Sequence, residues 1–242
     1  MVVSLWVRSG SSRSQLERAM SHYLSEGWVV NRTVGCHVAL CNKPVRSVLD
    51  LDVRKRIQSM ELPPEACVLE VELVSGGRAG VARKIRFGSS SIPCPWSEHP
   101  IEVEMPVNPV IWKSAKERRR APKHEEKIVE EVRSLCGGVD ASWAALSVSG
   151  RGPSLPELSL PSRPRYVWLS TVFLASTEFD ESAVRKVAAG ACSERWPSGW
   201  FLSKDPVFCA TPPSSPAFED DVWRLLAGWA RRSRGRSSGH EH

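Results

Sequence analysis

The sequence predicts an α+β fold in which a mainly antiparallel sheet carries helices packed on one side. Three observations predict it. Between residues 69 and 105, short segments alternate apolar and charged residues with period two. Other stretches space their apolar residues three and four apart, as helices do. The apolar strands of the C-terminal part carry Trp143, Trp168 and Trp200, which puts the densest core there. A chain of 242 residues accommodates one large domain or two small, intimately packed halves. The halves read as 1–112, an N-terminal α+β half containing the meander, and 124–230, a C-terminal α+β half. Residues 231–242 read as a disordered basic tail.

In chain order, Val3, Leu5 and Val7 share one face of a strand over Val2–Val7. Ser12 and Gln15 have capping-box spacing, and Leu16, Ala19, Met20, Tyr23 and Leu24 follow as a helical stripe that Gly27 closes. Trp28–Val30 and Cys36–Leu40 read as short strands. Leu49, Val53, Ile57 and Met60 mark a second helix, stopped by Pro63 and Pro64. Then comes the meander. Leu69, Val71 and Leu73 alternate with Glu70 and Glu72, and Ser75-Gly76-Gly77 turns the chain. Val81, Arg83, Ile85 and Phe87 alternate with Ala82, Lys84 and Arg86, and Ile101, Val103 and Met105 with Glu102 and Glu104. Its wet face runs acidic, basic, acidic, a cross-strand arrangement worth roughly 0.2–1 kcal/mol per pair.

Lys113–Lys127 is a charge-rich connector between the halves. Beyond it the pattern gives a helix (His124–Cys136), a strand (Ala141–Val148) and a Pro-rich loop over 149–164, expected to be extended and exposed. A long strand (Tyr166–Leu174), a helix (Asp180–Ala189) and a short strand (Gly199–Ser203) follow. Val207–Cys209 reads as one more short strand. The last helix sets Phe218, Val222, Leu225, Leu226 and Trp229 on one face and ends near Arg231.

Composition narrows the functional classes. Apolar and charged contents of 41% and 25% are those of a soluble globular protein. No 18-residue apolar run predicts a membrane span, and Met1–Gly10 has no secretory pattern, so a cytoplasmic protein is expected. Seven scattered cysteines read as free thiols. The net charge is +6, but Arg231, Arg232, Arg234 and Arg236 against Glu241 supply half of it, leaving the body close to balanced. Cys36, His37, Cys41, Cys94 and His99 are metal-ligand types at spacings that fit no zinc pattern. No nucleophile elbow, P-loop or H-E-x-x-H stretch is present. The expectation is therefore no enzyme, no metal and no cofactor.

The order of elements from Val68 to Trp229 resembles the immunity protein 52 family of bacterial polymorphic toxin systems. The likeness rests on the hairpin ending in Ile85-Arg86-Phe87-Gly88, a strand closing on Pro106 and Asp140-x-x-Trp143-Ala144. It continues through Tyr166-Val167-Trp168-Leu169-Ser170, Gly199-Trp200-Phe201-Leu202, Phe208 and a terminal helix. The resemblance implies a cytoplasmic protein that binds and silences a cognate toxin domain, often a restriction-endonuclease-like nuclease. Membrane and nucleic acid are not expected partners; the rival reading is a nucleic-acid-associated protein using the basic connector and tail.

An inhibitor of a phosphate-binding domain can compete by presenting carboxylates. The acidic candidates are the strand faces with Glu70, Glu72, Glu102 and Glu104 and the helix start at Glu219, Asp220 and Asp221. The second is favoured, because no cation follows it in sequence until Arg224. Trp96, Trp112 and Trp196, beside proline or in loops, are the candidate aromatic anchors.

Overall fold

The structure, a computed structural model, describes residues 2–7, 12–31, 36–40, 66–75, 82–87, 100–105, 121–147, 152–204 and 216–237. The strands are β1 (Val2–Val7), β2 (Trp28–Val30), β3 (Cys36–Leu40), β4 (Ala66–Ser75) and β5 (Ala82–Phe87). They continue as β6 (Ile101–Glu104), β7 (Ala141–Ser147), β8 (Thr171–Ala175), β9 (Cys192–Trp196) and β10 (Gly199–Ser203). The helices are α1 (Ser12–Ser25), α2 (Ala121–Gly138), α3 (Glu181–Ala188) and α4 (Pro216–Ser237). The expected helix over Leu49–Met60, the strand at Val207–Cys209, Trp96, Trp112 and most of the connector lie outside the described residues.

All ten strands form a single sheet in the order β2-β4-β5-β6-β1-β7-β8-β10-β9, with β3 also paired to β4. Every described pairing is antiparallel. The α+β class and antiparallel character are as the sequence predicts. The first strand in sequence is central: β1 pairs β6 on one edge and β7 on the other, so both halves share the sheet through it.

The helices lie on both faces, not on one side as expected. Val3, Leu5 and Val7 of β1 face a core that includes Met20 and Tyr23 of α1 and Val132 and Leu135 of α2. Trp6, Trp143, Val172 and Leu174 point the other way, into a second core with Val184 of α3 and Val222, Trp223, Leu226 and Trp229 of α4. The cause is in the strands. β4 to β6 alternate apolar and charged residues and need cover on one face, whereas every residue of β7 and β8 is buried and needs it on both. Trp6, Trp143 and Trp229 fill the middle of the second core with ring centroids 5.9–6.4 Å apart.

The loop after β7 differs from the expected extended, exposed connector. Gly152, Pro153 and Ser154 are buried, and Glu157 and Leu158 sit buried in a 3-10 turn. The Gly152 N–H donates to Ser4 Oγ at 2.7 Å, which brings the loop down onto β1. A Cβ on Gly152 would fall 2.5 Å from the Ser4 Cβ, so this approach requires glycine. Glu157 accepts from the Ser154 N–H and hydroxyl and from the Tyr166 hydroxyl, each at 2.7 Å, which satisfies the buried carboxylate. The expected strand at Tyr166 starts later, at Thr171; ahead of it Arg163 pairs with Glu219 of α4 and donates to the Val167 carbonyl, which ties this stretch to the helix. At the C-terminus, α4 runs on to Ser237, past the expected end near Arg231.

One cation sits on the apolar side of the meander. Arg83 of β5 reaches across to α2 and donates through Nε and Nη2 to the two Glu131 oxygens, both at 2.6 Å. The Tyr23 hydroxyl donates to the same carboxylate at 3.3 Å, and the guanidinium carbon lies 5.1 Å from the Trp28 ring centroid. This fork ties β5 to α2, and so one half of the sheet to the helix that precedes the other. A lysine cannot make both bonds or the flat stack. Arg83→Lys is expected to destabilise the fold by about 1–2 kcal/mol, measured by urea denaturation.

Candidate partner-binding surface

The two acidic regions differ in how far their charge is already spent inside the chain. On the β4–β6 face, register sets Glu70 opposite Arg86 and Glu72 opposite Lys84. It also sets Lys84 opposite Glu104 and Arg86 opposite Glu102. These side chains stand on the face turned away from α1 and α2, since Val71, Ile85 and Val103 between them point into the core under those helices.

The ion pairs follow the register. Arg86 Nη2 lies 2.9 Å from Glu70 Oε2, its Nη1 lies 3.7 Å from Glu102 Oε2, and Lys84 Nζ is 3.2 Å from Glu70 Oε1. Although partial burial opposes it, the bonds and charges of Arg86 and Lys84 hold the Glu70 carboxyl below its ordinary value. Glu72 accepts from Asn31 Nδ2 at 2.5 Å, and Glu104 is exposed. Among the described residues, four glutamates therefore share the face with Lys84 and Arg86, and both cations are engaged around Glu70.

The start of α4 is organised differently from the sequence expectation. Glu219 is buried, its side chain 4% exposed, with Arg163 Nη2 2.7 Å from Oε2. Arg163 Nε is 3.3 Å from Asp220 Oδ1, and its Nη1 donates to the Val167 carbonyl at 2.6 Å. Asp221 is paired with Arg224 one turn on. Burial pushes the Glu219 carboxyl above its ordinary value, against the pull of Arg163. The expectation of an acidic cluster without a nearby cation is thus corrected: the loop before β8 supplies Arg163. Glu219 and Asp220 clamp that loop to the first turn of α4.

Trp196 is also placed differently from an exposed anchor. It is 2% exposed and stacks with Phe173 and Phe201, with centroids 5.5 and 4.6 Å away. Arg133 of α2 lies over the same ring at 5.1 Å and is ion-paired with Glu194 of β9. Of the predicted residues, Glu70 and Glu72 come together on one surface, Asp220 and Asp221 remain half-exposed on another, and Glu219 and Trp196 are interior. Glu102 and Glu104 lie on the same face as Glu70 and Glu72, across Arg86 and Lys84, as the alternation of the meander predicts. Among the described residues no group of three His, Cys, Asp or Glu side chains is placed to hold a metal ion. Among those same residues no helix is long and apolar enough to cross a membrane.

Fold and surface together define an α+β protein with a charged sheet face in its N-terminal half on which, among the described residues, no helix lies. No family model matches the chain, the immunity protein 52 family included, and no curated protein matches it significantly. Among solved structures it is similar to the Pseudomonas aeruginosa T6SS protein PA0821, at 11% sequence identity and a TM-score of 0.37. That similarity covers 84% of this chain and 64% of the other, so the chain spans less than two thirds of that protein's length. Fold and function therefore rest on this chain's own residues.

Proposed function

We propose that the protein is an inhibitor of the immunity type, which binds and neutralises a cognate toxin domain without catalysis. The order of motifs described above supports the class of protein. The observation that carries the binding mode is the carboxylate excess on β4–β6, four glutamates against two engaged cations, in a chain whose net charge is +6. A locally acidic face on a basic protein suits a basic partner surface, and a nuclease domain carries one for its phosphate substrate. The contact is assigned to this face in preference to the α4 start, where the acids are committed to Arg163 and Arg224.

Co-expression with a toxin encoded beside it is expected to rescue growth, and the purified pair to co-elute. Glu72→Gln with Glu104→Gln, which removes the charge without setting lysines opposite Lys84, is expected to slow association about tenfold at low salt while leaving the fold intact, because such charges act on encounter. Association at the wild-type rate would move the contact off this face. A neighbouring product that is harmless, or never associates, would remove the inhibitor reading. Tight salt-dependent binding to DNA by the isolated protein would favour the nucleic-acid alternative.

A further inference from the structure

The charged face of β4–β6 continues along the strands into a row without charge. Val29 of β2 lies opposite Val74 of β4, and Val74 lies opposite Ala82 of β5. Val30 and Leu73, the chain neighbours of Val29 and Val74, point into the core under α1 and α2. Side chains alternate along a strand, so Val29, Val74 and Ala82 stand on the same side as Glu70 and Glu72. None of the three is buried, and Val29 is 50% exposed.

Val29, Val74 and Ala82 thus form one row across three strands. The rows of Glu72 and Glu70 follow it at intervals of about 7 Å along the strands. In each charged row two glutamates flank a cation and lie two strand spacings, about 10 Å, apart. A single exposed apolar residue on a surface is ordinary. Here three stand in register and border the carboxylates, which is the pattern of an apolar contact with a charged rim.

We propose that these rows form one docking surface, and that its occupant is a basic, amphipathic segment of the toxin domain. Its apolar side chains seat on Val29 and Val74, and its cations lie over Glu72 and Glu104. This rests on the inhibitor reading and adds to it the anchor and the partner's pattern. The register sets that pattern: two cations about 10 Å apart, about 7 Å to one side of the apolar contact. Charge decides among occupants. A second copy would set one carboxylate excess against another, and nucleic acid would set its phosphates against the same excess, so both are repelled. The two parts of the surface act on different steps. Carboxylates act at a distance and raise the rate of encounter, whereas the apolar row acts only in contact and holds the complex once formed.

Association and dissociation rates of the full chain with the purified toxin domain from the neighbouring gene are the test. Val29→Thr with Val74→Thr keeps the shape and β-branching of both side chains and removes their apolar character. Dissociation is expected to quicken about tenfold with the association rate unchanged. Glu72→Gln with Glu104→Gln is expected to do the reverse. Val29→Thr alone, at a half-exposed position on an edge strand, serves should the double variant fold poorly, with dissociation about threefold faster. Val29→Ile, which keeps an apolar contact, is expected to dissociate at the wild-type rate. Unchanged dissociation of both threonine variants, from a toxin that the wild type binds, would overturn the anchor and leave the inhibitor reading standing. A wild type that binds no toxin removes both. Self-association of the wild type that Val29→Thr weakens would also overturn the assignment, with a second copy as the occupant.

Discussion

Replacing Arg163 by Ala is expected to lower the unfolding free energy by about 3 kcal/mol, the scale for breaking one side of a buried ion pair. Chemical denaturation with an unchanged slope would report it as a pure stability loss. The reason is what the guanidinium leaves behind. Glu219 is 4% exposed and keeps only a backbone hydrogen bond from Leu169 once its cation is gone. Asp220 and the Val167 carbonyl lose a donor in the same change. The loop before β8 then loses the ionic tie to α4 that Arg163 makes.

The deficit should depend on pH in a definite direction. Burial already raises the Glu219 carboxyl above its ordinary value of 4.5, with Arg163 pulling the other way. A raised folded-state value means the folded protein holds the proton more tightly than the unfolded chain does. The associated stability is complete below pH 4.5 and is lost as pH rises through the raised value. Without Arg163 that value climbs further, so the variant should suffer most at neutral pH and recover as pH falls toward 4.5. Adding Glu219→Gln should recover much of the loss at neutral pH. An equal deficit at both pH values would mean that the lost packing of Arg163, not the stranded carboxylate, sets the effect.

What could be read in advance, and what could not, follows from how far each contact reaches. The faces of the meander were legible, because a period-two pattern fixes the face of every residue. The registers that set Glu70 opposite Arg86 and Lys84 opposite Glu104 were not, because alternation alone does not fix which residues pair and β5 and β6 are joined by a long connection. The same alternation put Arg83 among apolar residues, and only the distant Glu131 explains it. The strand β9 carried no apolar periodicity, since an edge strand whose first four residues are exposed needs none. Its signal was the Pro197-Ser198 pair, a two-residue turn between Trp196 and Gly199. Helices on both faces were foreshadowed by the unbroken apolar runs of β7 and β8. The Arg163 clamp was not foreshadowed: its partner Asp220 lies 57 residues away, and no local pattern records a contact of that span.

Trp196→Ala is expected to cost about 4 kcal/mol, the range of large aromatic truncations in a core. The sequence offered Trp196 as a partner anchor, and its surroundings argue for a different role. The ring is stacked with Phe201, the planes 8° apart, and with Phe173, the planes 20° apart. Two residues from adjacent strands thus lose their stacking partner at once, and the guanidinium of Arg133 loses its support. Because Trp196 ends the strand at the sheet edge, the hairpin of β9 and β10 should loosen first, with faster amide exchange along β9 than along β7. Trp196→Phe should be far milder, about 1–2 kcal/mol, because it keeps an aromatic ring in the stack. It would also remove an indole N–H that is buried without an acceptor. A partner anchor would behave in the opposite way, with binding lost and stability kept. Should Trp196→Ala melt at the wild-type temperature while its toxin affinity collapses, the ring is an interface residue and the stack described here is incidental to the fold.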